Sequence, residues 1–193
     1  MRIIYLHQYF KFPNESGGTR SYDLSTGFTS LGYCVEMITS TSNPEFKSTR
    51  RWTKIEREGL VIHYIYLPYA NEMSYLRRSK VFLKFLWFSI LKILTLKGDV
   101  VIASSTPLTI GIPALVKKWI HKTPFIFETR DIWPEAVIAI GAINNKAMQN
   151  ILYFLERILY KNASAIVPLS SDMKKSIIKR YPSLKNKPIE VIE

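Results

Sequence analysis

The sequence of 193 residues holds a single cysteine, Cys34. An internal disulfide framework and a cysteine-rich zinc site are therefore excluded. Cys34 is expected to be a buried small hydrophobe, and its isolation weakly favours a reducing cytosol. Histidine is equally scarce: His7, His63 and His121 are too scattered for a zinc motif, and no metal site is expected. Neither a G-x-G-x-x-G run nor a Walker loop occurs, which disfavours dinucleotide and P-loop sites. Met1-Arg2 leads into only four apolar residues, Ile3–Leu6, before polar His7-Gln8, whereas a secretory signal needs about 7–15. Acids are few: 27 Lys and Arg against 15 Asp and Glu leave a net charge of +12, a surface suited to anionic partners. Apolar residues are plentiful at 47%, enough for a real core in one domain and against intrinsic disorder.

Strand-like runs alternate with helical ones. Ile3–Leu6 reads as a first strand, Thr19–Leu31 as a helix with Leu24, Phe28 and Leu31 on one face, and Val35–Thr39 as a second strand. Ser40–Lys54 is polar and basic and reads as a loop. Leu60–Leu67 reads as a strand, Leu76–Leu96 as a long helix, Val100–Ala103 as a strand and Thr109–Trp119 as a helix. Phe125–Phe127 is a strand. Ala147–Tyr160 carries the clearest helical stripe, from Met148 through Leu159. Ala165–Val167, a helix over Asp172–Arg180 capped by Ser170 or Ser171, and a last strand Ile189–Ile192 complete the chain. This order predicts an α/β, Rossmann-like parallel sheet with helices on both faces.

Two segments carry candidate chemistry. Gly17-Gly18-Thr19 lies between the first strand and its helix, where unpaired amides and the helix dipole favour an anion. An ordinary loop-to-helix turn would look the same. Glu128-Thr129-Arg130-Asp131-Ile132-Trp133-Pro134-Glu135 places four ionisable groups directly after a buried strand. Ile132-Trp133-Pro134 argues against a freely solvated loop. The alternative is a structural arginine–carboxylate pair capping the next helix. As a site wall, Asp131 or Glu135 would meet a substrate hydroxyl and Arg130 an anion, so these three are the catalytic candidates. Glu128, Ser105, Thr106 and His7 follow or end strands and are candidates for holding the acceptor. The Gly17-Gly18 turn and the Glu128 run must share one rim of the sheet for this to hold.

The stretch from Leu76 to Gly98 mixes Arg77, Arg78, Lys80 and Lys84 with Phe85, Trp87 and Phe88, and has no acid. Lys84 and Lys92 break its apolar runs, which are too short to span a bilayer. It reads either as a core helix with basic ends or as an interfacial helix on an anionic membrane. The second basic run, Lys174 to Lys187, reads as a solvated face. No nucleic-acid partner is expected, because the basic residues alternate with large aliphatics and form no recognised module.

These stretches resemble the N-terminal domain of family 4 glycosyltransferases of the GT-B fold, and more narrowly the bacterial branch that builds O-antigen, capsule and colanic-acid-type polysaccharides. The likeness is carried by Gly17-Gly18, Leu31–Val35, Asp99–Pro107, Phe127–Glu135, Glu156–Ser170 and Ile189–Glu193. The resemblance implies that residues 1–193 form the acceptor-side, Rossmann-like domain. The nucleotide-sugar domain, with its Glu-x7-Glu motif, would be a separate partner absent from this chain. It also implies that Gly17, Gly18 and Thr19 approach the donor diphosphate. The donor would be a UDP- or GDP-sugar acting as co-substrate, with no cofactor, no metal and retention of configuration. Where many members carry a His-Asp pair, this chain has Arg130-Asp131. A polyprenyl-diphosphate-linked glycan would be the acceptor, on the inner face of the cytoplasmic membrane. The short length also fits a non-catalytic subunit that recruits a catalytic partner to that membrane.

Overall fold

The computed structural model describes residues 1–69, 73–139, 141 and 143–192. Seven strands form one sheet: β1 (Arg2–Leu6), β2 (Cys34–Thr41), β3 (Trp52–Arg57), β4 (Leu60–Tyr66), β5 (Val100–Ser104), β6 (Phe125–Thr129) and β7 (Ala165–Pro168). Their order is β3-β4-β2-β1-β5-β6-β7. Every pairing is parallel except the β3–β4 hairpin. The helices are α1 (Arg20–Ser30), α2 (Tyr75–Thr95), α3 (Gly111–His121), α4 (Glu135–Ala139), α5 (Lys146–Asn162) and α6 (Ser171–Arg180). The α/β Rossmann-like architecture expected from the alternation is the one observed.

The period-2 alternation of β1 divides the core. Ile3 and Tyr5 join Met37, Ile62, Phe10 and Phe12 on the face covered by α1. Ile4 and Leu6 join Phe127, Leu115, Leu159 and Phe85 on the face covered by α2, α3 and α5. Helices on both faces leave the sheet no apolar side open, as a parallel sheet requires. The chain winds outward from β1 to β2 and β4, then returns to β5 and continues to β6 and β7. Strand order therefore reverses between β1 and β5, and the crevice beyond their carboxyl ends is where open α/β sheets bind ligands.

Several expectations need correction. The segment read as a loop, Ser40–Lys54, runs at its end into β3, an edge strand whose Lys54 and Glu56 point to solvent while Ile55 packs inward. Its hairpin turn, Glu58-Gly59, holds both residues at positive φ, 54° and 75°, which suits the twist of a two-residue connection. Cys34 is exposed, because it opens β2 at the edge of the core. Leu31, expected on the packed stripe of α1, is exposed; Ser21 and Ser25 are the fully buried residues there. In α5 the stripe divides, with Leu159 buried and Met148 and Ile151 exposed. The final segment runs beside β7 and closes one bridge, Ile166 to Ile189, beyond which Pro168 has no N–H to continue the ladder. Glu193 lies outside the described residues.

Candidate active site

The Gly17-Gly18 turn and the Arg130-Asp131 pair meet at the β1/β5 switch point. A polar crevice of about 300 Å³ there is lined by His7, Tyr9, Gly18, Thr106, Arg130, Asp131 and Leu169. His7 and Tyr9 follow β1, Thr106 follows β5, Arg130 and Asp131 follow β6, and Leu169 follows β7. Parallel strands all end on this rim, so residues far apart in sequence become neighbours.

The arginine is held from three directions. Its backbone N–H donates to Ser105 Oγ at 2.9 Å. Its guanidinium Nη1 lies 3.0 Å from His7 Nε2. Arginine can only donate, so Nε2 accepts and the imidazole proton sits on Nδ1. That proton is then donated to Ser21 Oγ, 2.6 Å away. Burial, and behind it the Arg130 charge, push His7 down to a pKa of about 3, so the ring is neutral. The third constraint is Gly18: a Cβ there would lie 3.3 Å from Arg130 Nη2. Gly17 is at φ 140°, and a Cβ on it would meet Lys11 Cγ at 2.9 Å. The turn thus needs glycine twice, once for its backbone angle and once to admit the guanidinium.

Asp131 is exposed and accepts from Thr106 Oγ1 through Oδ2 at 2.6 Å. That bond orients the carboxylate through one of its two oxygens, on a residue that lines the crevice. The site can therefore present one fixed cation and one fixed carboxylate to a ligand, with hydroxyl and amide groups around them.

Other candidates are placed differently. Glu128 is buried in β6, where it accepts from Arg20 Nε at 2.6 Å and Tyr5 Oη at 3.0 Å. Those bonds use both carboxylate oxygens, so Glu128 does not face an acceptor. Arg20 also reaches the carbonyl of Ile192 at 2.5 Å, tying the end of the chain to this rim. Glu135 begins α4 and pairs with Arg180, which also grips buried Glu156. It is a structural tie rather than part of the crevice. Thr19 gives its hydroxyl to Asp23 at 3.0 Å, and Ser105 is buried beneath Arg130. His7 is only 3% exposed, so it acts on Arg130 and not directly on an acceptor.

On α2 the outer face carries exposed Arg77, Lys80 and Lys84 with Leu83 (63% exposed) and Trp87 (59%). Arg78 is half-buried and donates to the Met73 carbonyl. Phe85 belongs to the core at 2% exposure, so its expected membrane role is withdrawn. Phe88 is half-buried beneath the Arg51 guanidinium and packs on the same core. Leu83 and Trp87 on the same face as Arg77, Lys80 and Lys84 obscure in the sequence which face the sheet claims.

The sequence reading also missed an apolar groove of about 590 Å³ beside the crevice, lined by Tyr9, Tyr69, Phe82, Leu83, Pro107, Trp133 and Leu152 among others. Of its lining, Thr106 was a candidate for holding the acceptor and Trp133 stood out for resisting solvation. Among the described residues no group of three or more potential metal ligands gathers. None of the described helices is long and apolar enough to cross a membrane.

A doubly wound sheet with a polar crevice at its switch point is a Rossmann-like ligand-binding architecture. Residues 17–193 match Glycosyltransferase Family 4, and the chain belongs to that family. No curated protein matches it significantly. A sucrose-phosphate synthase from Thermosynechococcus elongatus superposes with a TM-score of 0.64 at 12% identity, over 99% of this chain and 47% of that one. A trehalose-6-phosphate synthase gives 0.62 at 10% identity, over 99% and 49%. A UDP-N-acetylglucosamine 2-epimerase gives 0.56 at 9%, over 99% and 47%. The likeness is one of fold, and the chain spans about half the length of these three proteins.

Proposed function

We propose that this chain is the acceptor-side domain of a glycosyltransferase that moves a sugar from a nucleotide-sugar to a lipid-linked glycan in bacterial surface polysaccharide synthesis. The observation that carries the reading is one crevice that holds Arg130, its guanidinium fixed by His7 and its backbone by Ser105, beside an oriented, exposed Asp131.

In this reading Arg130 Nη2 and the amides at the start of α1 meet the diphosphate. Its negative charge grows as the sugar leaves, so fixed donors stabilise the transition state more than the ground state. Asp131 Oδ1 accepts the hydrogen bond of the attacking acceptor hydroxyl and aligns it. A nucleotide-sugar domain across the cleft supplies most of the donor contacts, and the donor is a UDP- or GDP-sugar. No metal is called for, because Arg130 and the amides supply the positive field; retention of configuration is the expected outcome. The basic outer face of α2 supports a peripheral position on the inner leaflet, beside a lipid-linked acceptor. Nucleic acid is not a partner.

The test is Asp131→Asn in the enzyme that unites this domain with its nucleotide-sugar domain. Turnover should fall by about 10²–10³-fold with the melting temperature unchanged, a loss in the range expected for a positioned base. Undiminished turnover would remove Asp131 from the mechanism and favour a membrane-recruiting subunit instead.

A further inference from the structure

The apolar groove and the polar crevice share two residues, Tyr9 and Thr106. One molecule with an anionic head and an apolar tail can therefore occupy both. We infer that the groove between α2, the Pro107–Thr109 turn and Trp133 is the seat of the acceptor's polyisoprenyl chain, with its phosphate at the Tyr9–Thr106 edge of the crevice, within the field of the Arg130 that faces the donor diphosphate. This rests on the lipid-linked acceptor proposed above and names where its hydrocarbon lies.

Three features favour that occupant. The groove's wall is an aromatic ladder: the Tyr9 and Tyr69 rings are 5.8 Å apart, and Tyr69 and Phe82 6.1 Å. Leu108 and Trp133 also line it, so a chain would lie against apolar surface over a volume typical of small-molecule sites. The rim continues as an exposed apolar track. Leu83 lines the groove and Trp87 follows one turn later, both flanked by Lys80 and Lys84. On the other side Leu152 lines the groove and exposed Met148 precedes it by one turn. Basic residues beside an apolar mouth match the boundary between anionic headgroups and hydrocarbon. A chain leaving the groove over Leu83 would pass into the bilayer without crossing water.

The test uses soluble probes, so that membrane docking does not enter. Binding of farnesyl diphosphate and of inorganic diphosphate to the full chain is followed by tryptophan fluorescence, to which Trp133 in the groove contributes, and by calorimetry. Each buried methylene is worth about fourfold in affinity, so the farnesyl compound should bind at least about tenfold tighter. Leu152→Glu should abolish that preference while leaving inorganic diphosphate binding as it was. Arg130→Gln should weaken both ligands. If Leu152→Glu fails to fold, Leu83→Asp, at an exposed rim position, tests the same wall. Equal affinity for the two ligands, or a preference that survives both groove variants, overturns the inference. Dodecyl phosphate binding as tightly as farnesyl diphosphate would overturn the isoprenoid assignment. The two proposals fail separately: the groove inference can fall while Asp131→Asn still stops sugar transfer. The transferase reading falls if Asp131→Asn is silent, whatever the groove binds.

Discussion

Two of this molecule's arginine–carboxylate clusters use the same residue types, and each draws an acid from the Glu128–Glu135 run. In one, Arg180 donates through Nη1 to both oxygens of Glu156, at 3.1 and 3.0 Å, and through Nη2 to Glu135. Tyr181 donates to Glu156 at 2.6 Å. Glu156 is 0% exposed, and its oxygens are spent on protein partners. In the other, Arg130 and Asp131 do not pair with each other. Each is held by a neutral neighbour, His7 or Thr106, and each keeps a polar atom for something else. The first cluster is closed and fastens α4, α5 and α6. The second is oriented but open, and openness is what a binding site needs. Within eight residues, the outer acids Glu128 and Glu135 serve the fold and the central pair faces the crevice.

The sharpest way to break this comparison is Glu156→Ala. It leaves Arg180, whose side chain is only 17% exposed, without its buried counter-charge. Removing one partner of a buried pair costs about 3–5 kcal/mol, which urea unfolding would register as a large drop in midpoint. Asp131→Asn, by contrast, should leave that midpoint unchanged while removing turnover. A large stability loss from Asp131→Asn, or none from Glu156→Ala, would mean that the two clusters have been assigned the wrong way round.

The open cluster should also carry a pH signature through His7. The folded imidazole stays deprotonated down to about pH 3, whereas the unfolded chain takes a proton near 6.5. Between those values the unfolded state binds more protons, so stability rises with pH and is lost as the medium is acidified. The slope from this one group is at most about 1.4 kcal/mol per pH unit. Burial lowers His63 as well, which gives a slope of the same sign, so the comparison must be between variants. His7→Gln keeps an acceptor within reach of Arg130 but does not titrate. Its stability measured from pH 7 to 4 should fall less steeply than that of the wild type. Parallel curves would show that His7 is not the neutral, buried acceptor described above.

The rim of the site was legible in the sequence because parallel strands must end on a common edge. Gly17-Gly18 after the first strand, Thr106 after the fifth and Arg130-Asp131 after the sixth could all be assigned to it before any contact was known. Which groups would touch was not legible. His7 meets Arg130 across 123 positions, and Glu128 is claimed by Arg20 across 108, pairings that local pattern does not encode. The β3 edge strand was hidden because its solvent-facing charges resemble those of a loop. Phe85 and Trp87 look alike in sequence, yet one is core and one surface: Trp87 continues the Arg77–Lys80–Lys84 face, where an apolar residue hid the pattern. The apolar groove escaped for a related reason: its walls come from segments that are each unremarkable alone.

The smallest expected effect tests the boundary between the two clusters. Glu135 stands within the same polar run as Asp131 and was an equal candidate for meeting a substrate hydroxyl. Its partner is Arg180, and its side chain is 48% exposed. An ion pair that open to water is screened and contributes at most about 1 kcal/mol. Arg180 would keep Glu156 if Glu135 were neutralised, so no buried charge would be stranded. Glu135→Gln should therefore lower stability by less than about 1 kcal/mol and leave sugar transfer within about twofold of wild type. A loss of turnover comparable to that of Asp131→Asn would place Glu135 at the acceptor. The closed cluster would then be part of the chemistry, held shut only until substrate draws the carboxylate away from Arg180.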